Sequence, residues 1–516
     1  MDTVFILTFL LPVILATTGF NPTQHHDYEA MEAVMNNVHE KCNKITHLYE
    51  LPTGTFEDIP STTVNGRKLK VLVFGKHPTE HTNGIPEFKY IGNMHGNEVT
   101  GKELLLRLMT YMCDVYLGET TEIEGNFDMK HIKDLIDNTR IHILPSMNPD
   151  GWQIASESVD NYQNGVLGSD KWTVGRANAN GKDLNRNFPD LDNLYYNLEA
   201  KPGHRNNHLD RVRQVLKNLS SELEPETKMI MSWLHSIPFV ASANMHNGDL
   251  VANYPFDKTR DGSSHSPAKC PDNSTFFEMA EAYSLQHADM AKPHKPCDTN
   301  DFSKTEGTTN GAAWYSVPGG MQDYNYLSTN CFEITLELGC DKFPPASELP
   351  KIWEQNINSL FSFMYQAHIG IKGEIQLPEG IRPGSAIAAI RVQKVGEPKP
   401  IDHDILSTES GDYYRLLENG LYNVNATIHF MDRNDNEQKI VRSKCVQVDN
   451  QLYSKSAQVV NFDFTQLDEP YIDESCKNEY QDSYDEDQLR QYYDLMWFLR
   501  NYAAPRNTYD SKYNVY

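Results

Sequence analysis

Near Gly370 the sequence changes character, and that break decides which layers the chain can build. From about Lys68 to Leu336, β-rich apolar runs alternate with stretches of helical periodicity. VLVF (Val71–Phe74), FKYIGN (Phe88–Asn93), RIHILP (Arg140–Pro145), FVASANMH (Phe239–His246) and FEITLEL (Phe332–Leu338) read as buried strands. Glu98 to Leu117 places Leu104, Leu105, Leu108, Met112 and Val115 on one helical face, and Trp353 to Ile369 reads as a closing helix. The alternation predicts an α/β domain with a mixed central sheet and helices on both faces. From Ile371 to about Phe464 only short strands and turn signals follow, among them IAAIRV, GLYNVNATIHF and KCVQV, which predicts a small all-β sandwich.

The ends differ from both. Val4 to Ala16 is one apolar run at the extreme N-terminus, too short to span a bilayer comfortably and followed by small residues, so it reads as a secretory signal peptide. The expected organisation is therefore a signal at 1–19, a catalytic α/β domain at 20–369, a β sandwich at 370–465 and an acidic, Tyr-rich tail at 466–516. In the tail, Leu489, Tyr492, Tyr493, Met496 and Leu499 recur at helical spacing, a pattern suited to peripheral contact with a membrane surface or to docking on the body of the protein. A secreted chain gives meaning to three sequons, at Asn218, Asn273 and Asn425, and makes its eight cysteines disulfide-permissive, although their pairing cannot be read from sequence. The 46 basic and 71 acidic residues leave a charge of −25, which argues against nucleic acid as a partner and is compatible with cationic ligands.

Chemistry concentrates in MHGNEVTGKELL, where His95 and Glu98 sit at a strand end leading into a helix. An imidazole and a carboxylate so placed can ligate zinc together, but an HxxE spacing arises about once by chance in a chain this rich in histidine. A third ligand is required, and His246, at the end of FVASANMH, is a candidate. A lone histidine there is ordinarily a core or surface residue. On the FEITLEL strand, Glu333 and Glu337 point to the same face, and either carboxylate on so apolar a strand needs a partner or a task.

Taken in order, MHGNE, PSMNPDGW, VGRANANGKDLNRNFPD, SANMHNGDLVANYPFD, TNGAAWYSVPGGMQDYNY and NCFEITLELGCDKFP resemble the zinc metallocarboxypeptidases, in particular their regulatory branch of carboxypeptidases E, N, M and D. PGGMQDYNYL and the terminal segment DEDQLRQYYDLMWFLRNY favour the carboxypeptidase E type within it. The resemblance spans roughly Asp27 to Phe464 and implies a transthyretin-like fold for the β sandwich. It implies one zinc ion held by His95, Glu98 and His246, with Glu337 as general base and Arg176 stabilising the oxyanion. Asn185, Arg186 and Tyr315 would grip the substrate's terminal carboxylate, and Asp257 with Gln322 would select a terminal Lys or Arg. One departure is Asn247, where the branch commonly has Gly after the second zinc histidine. Its side chain either narrows the approach to the metal or points away.

The expected activity is removal of C-terminal Lys or Arg from peptides, by resemblance those left by prohormone or neuropeptide processing, in the secretory pathway or a granule lumen. A non-catalytic peptide-binding or sorting protein on the same fold is the alternative from another class. A zinc amidohydrolase of small acyl-amino acids is disfavoured by Asp257 and the complete carboxylate clamp.

Overall fold

The computed structural model describes residues 19–53, 59–120, 123–160, 172–199, 222–377, 386–431, 437–451, 453, 457–465 and 473–476. The expected signal peptide, apart from Gly19, lies outside these residues. So do Asn218 and the helical pattern of the acidic tail.

Eight strands form one sheet: β1 (Thr46–Glu50), β2 (Lys70–Phe74), β3 (Glu87–Gly92), β4 (Arg140–Leu144), β5 (Phe239–His246), β6 (Leu250–Tyr254), β7 (Thr308–Asn310) and β8 (Phe332–Leu338). Their spatial order is β1-β2-β4-β3-β5-β8-β6-β7. The central four, β4, β3, β5 and β8, are mutually parallel, while β1, β2 and β6 join antiparallel, so the sheet is mixed. Every residue of those central strands is buried, which means that both faces of the sheet are covered and explains why they read as continuous apolar runs. Helix Thr100–Leu117 follows β3 after the turn 93–99, and helix Leu349–Met364 begins four residues before the expected Trp353. Pro350 sits in its first turn, where a missing N–H costs nothing.

Beyond Ile369 come β9 (Ile371–Gln376), β10 (Ala388–Lys394), β11 (Ile405–Leu406), β12 (Asp412–Arg415), β13 (Gly420–Met431), β14 (Glu437–Val448), β15 (Gln458–Val459) and β16 (Phe462–Asp463). One sheet runs β11-β10-β13-β14 and the other β12-β9-β15, with β16 also on β9. Asn273 opens helix Asn273–Ser284, and Asn425 lies half-buried in the middle of β13. The cysteines pair as Cys42–Cys113, Cys297–Cys340 and Cys445–Cys476, leaving Cys270 and Cys331 as buried thiols. Among the described residues no helix is long and apolar enough to cross a membrane.

The β module is wedged against the α/β body by charge as well as by apolar surface. Arg415 of β12 donates to Asp272 at 2.6 Å, with both side chains fully buried, and Tyr326 donates to the other oxygen of that carboxylate at 2.8 Å. His403 stacks on the Tyr326 ring at 4.0 Å. Removing one partner of such a pair strands the other as a buried charge. Arg415→Leu is expected to lower unfolding stability by about 3–5 kcal/mol in urea titration, and Arg415→Leu with Asp272→Asn to recover a substantial part of it.

Candidate active site

The C-terminal ends of the parallel strands converge, which is where open α/β sheets place their ligands. From the end of β3 the chain turns through Asn93, in the left-handed region at φ 54°, and its side-chain amide holds the carbonyls of His95, Gly96 and Glu98 at 3.0–3.1 Å. This local knot presents His95 and Glu98 inward. His246 ends β5, and in the parallel register it lies beside Glu337 at the end of β8.

Three donor atoms face one another there. The Nδ1 atoms of His95 and His246 are 3.0 Å apart, and they lie 2.9 and 2.8 Å from the same Glu98 oxygen, Oε2. All three side chains are buried. Two imidazole nitrogens directed at each other and at one carboxylate oxygen cannot all be satisfied by protons, and the set fits a cation. Asp183 Oδ1 lies 2.9 Å from His95 Nε2, so a proton on that nitrogen leaves the Nδ1 lone pair free to ligate. Burial lowers the His246 pKa to about 4, which keeps its imidazole neutral. Burial opposes the charge on Glu98, yet His95 and Lys342 hold its carboxyl well below the usual range.

Around this centre, Arg176 donates through Nη1 to Glu98 Oε1 and through Nε to Asp183 Oδ2, both at 3.0 Å. Glu337 is buried and its Oε2 has no hydrogen-bond partner. Burial, then repulsion from Glu98, pushes its carboxyl well above the usual range. Glu333 differs in its surroundings: it accepts from Ser242 at 2.5 Å and Asn244 at 3.1 Å, with Lys89 3.7 Å away. One carboxylate is tied into the core and the other is left unengaged beside the centre.

A second group of polar side chains gathers around Gly320, where a Cβ would lie 3.5 Å from both Asn185 Oδ1 and Asp257 Oδ2. Asn185 is buried in the turn after Asp183, its Oδ1 accepting from the Met321 N–H at 3.0 Å, while Arg186 is exposed. Tyr315, partly exposed, follows a one-turn helix, Gly311–Trp314. Asp257 is buried, receives a bond from Gln322 Nε2 at 2.9 Å, and has its backbone N–H held by Asp323 at 2.7 Å. Burial raises the Asp257 pKa to about 7, against the pull of Arg186. Gly311 makes room for this carboxylate: a Cβ there would fall 1.9 Å from Asp257 Oδ1.

Residues 31–359 match the zinc carboxypeptidase family. The chain belongs to the zinc carboxypeptidases. It is 39% identical over 467 residues to carboxypeptidase E of Caenorhabditis elegans, covering 88% of this chain and 89% of that one. It is 40% identical over 456 residues to the carboxypeptidase N catalytic chain of Mus musculus, covering 87% and 91%. Its human counterpart is 42% identical over 430 residues, covering 82% and 84%.

Zinc is the ion such a carboxypeptidase implies, and the two-histidine, one-glutamate set suits it. Three features of this zinc carboxypeptidase escape the motif reading. Asp183, inside GKDLNRNFPD, orients His95. Lys342, inside CDKFP, donates to Glu98 Oε1 at 2.5 Å. Asp323, adjacent to Gln322, supports Asp257 from behind. Each lies next to a residue that the motifs singled out, which is the signal that could have found it. The Asn247 side chain points away from the centre, donating to Thr100 Oγ1 at 2.9 Å.

Proposed function

We propose that this carboxypeptidase releases C-terminal Lys or Arg from peptides, including intermediates of prohormone and neuropeptide processing, within the secretory pathway or after secretion. The observation that carries the reading is Asp257, a buried carboxylate that accepts from Gln322 at 2.9 Å and lies near Asn185, Gly311 and Gly320. A buried anion is unfavourable unless a cation completes it, and a terminal Lys or Arg side chain is such a cation. The apolar N-terminal run, the sequons and three disulfides suit an oxidising, secretory compartment.

His95, Glu98 and His246 would hold the zinc, which would supply Lewis acidity at this centre. Glu337 takes the proton of the attacking water and delivers it to the departing amine. Its position next to Glu98, with a raised affinity for protons, suits a group that must hold one between the two events. Arg176 offers Nη2, the guanidinium nitrogen outside its bonds to Glu98 and Asp183, to the developing oxyanion. The exposed Arg186 guanidinium, with Asn185 and Tyr315, binds the free terminal carboxylate, which restricts cleavage to the last peptide bond.

The test is release of the terminal residue from peptides that differ only in ending in Arg, Lys or Leu, with and without a chelator. Arg and Lys are expected to leave at least about a hundredfold faster than Leu, with loss on chelation and recovery on adding zinc. Absence of Arg and Lys release from zinc-loaded protein overturns the reading.

A further inference from the structure

Residues 339–345, after β8, form neither helix nor strand, yet Lys342 within them reaches the centre. Its Nζ donates to Glu98 Oε1 at 2.5 Å and to the Asn247 carbonyl at 2.8 Å. Arg176 donates to the same Oε1, so both cations hold one oxygen of Glu98 and leave Oε2 facing His95 and His246. The rotation of that carboxylate therefore depends on where Lys342 stands. A segment outside any ladder is placed by its outside contacts. Cys340 is bonded to Cys297, the Lys342 carbonyl accepts from the Val99 N–H at 3.1 Å, and Phe343 packs with Val99, Trp152 and Ala155.

The next contact comes from residues far upstream. His25 Nε2 donates to the Pro344 carbonyl at 2.8 Å, and its ring meets Phe343 edge-on with centroids 4.7 Å apart. His25 has little freedom, because its neighbour is locked. The backbone N–H and Nδ1 of His26 donate to the two oxygens of Glu103 at 3.0 and 2.6 Å, and Lys102 donates to the His26 carbonyl. Phe20 stacks on the His26 ring at 5.0 Å. His26, Lys102 and Glu103 are all buried. Lys102 and Glu103 belong to the helix that begins two residues after Glu98. Residues 20–26 thus form a strap between that helix and the segment of Lys342, the two elements that meet at Glu98.

We propose that this strap is a positioning element of the metal centre: it fixes the segment of Lys342, through it the orientation of Glu98, and so tightens zinc binding. His25 is the residue that transmits the effect, and it acts through Pro344 and Lys342 rather than on the donor atoms themselves. Such a residue works by narrowing the orientations open to a ligand before the metal arrives. The inference rests on the zinc reading of His95, Glu98 and His246 and is independent of any preference for basic ends.

The readout is the zinc dissociation constant of the full chain at about pH 7, by competition with a chromophoric chelator. His25→Ala is expected to weaken zinc binding about three- to tenfold, less than the loss of about ten- to hundredfold typical of groups that bond a ligand directly. His25→Gln, whose amide can donate to the Pro344 carbonyl, restores at least about half of the loss. In a Lys342→Met background His25→Ala adds no further loss, since the route through Lys342 is already cut. Arg415→Leu, which destabilises the fold from the β module, leaves the constant unchanged, so lost global stability does not mimic the effect. Wild-type affinity in His25→Ala, no recovery in His25→Gln, a full additional loss in the Lys342→Met background or an equal weakening in Arg415→Leu overturns the proposal. The two His25 variants and Arg415→Leu decide the matter alone should Lys342→Met fail to fold. A wild-type chain that binds no zinc overturns instead the reading of the centre on which the proposal rests.

Discussion

Glu337→Gln is expected to lower kcat by about 10²–10⁴-fold while the protein still binds Arg-ended peptides. The amide keeps the shape and size of the carboxylate but cannot accept and return a proton. Its native surroundings make this a clean experiment. The Glu337 carboxyl is buried, its Oε2 is without a hydrogen-bond partner, and it is repelled by Glu98, so replacing it removes an unfavourable charge. Unfolding stability should therefore stay level or rise. Glu333→Gln should give the opposite pattern. Glu333 is the anion that faces the fully buried ammonium of Lys89 at 3.7 Å and accepts from Ser242 and Asn244, so neutralising it leaves Lys89 a buried cation without its counter-charge. The expected cost is about 3–5 kcal/mol of stability, measured by urea unfolding. If Glu333→Gln abolished turnover in a stable protein and Glu337→Gln did not, the assignment of the base would move to the other carboxylate.

That pair also marks the limit of what the sequence discloses. Both glutamates alternate onto one face of FEITLEL, and periodicity cannot tell them apart. What separates them is the neighbouring strand: Ser242 and Asn244 of β5 lie opposite Glu333 and Thr335, whereas His246 lies opposite Glu337. Parallel pairing across about ninety intervening residues sets this register, and no local pattern encodes it. The strand ends themselves were legible, because β3, β5 and β8 are apolar runs that end at or beside Asn93, His246 and Glu337. Asn247 illustrates the same division. Its identity is plain in the chain, but whether it obstructs the centre depends on Thr100, 147 positions away in sequence, which receives its amide. The three-residue strand β7 carries too few residues for a period and exists through its pairing with β6. The disulfide pairing likewise required folded distances, the partners lying 71, 43 and 31 residues apart.

Asp257 makes the pH dependence of substrate capture predictable. In the ligand-free protein its pKa is raised to about 7, chiefly by burial. At pH 5 the carboxyl is accordingly mostly protonated, and a cationic side chain entering the pocket must displace that proton. Between pH 5 and 7 the KM for an Arg-ended peptide should fall with rising pH, approaching tenfold per unit where the group is protonated, and it should level off above about pH 7. A Leu-ended peptide makes no demand on that charge, so its KM should lack this slope. Asp257→Asn should remove the slope for Arg and reduce the preference for Arg over Leu by about a hundredfold. It removes the charge while retaining a group that Gln322 can still bond, which limits disruption of the pocket. Asp323 and Asp192 stand behind Asp257, and burial raises both of their pKa values as well, Asp192 to about 7. They titrate without touching the cation, so their contribution would appear for Leu-ended and Arg-ended peptides alike. The difference between the two KM profiles therefore isolates Asp257, and equal slopes for the two peptides would assign the pH dependence to the carboxyls behind it.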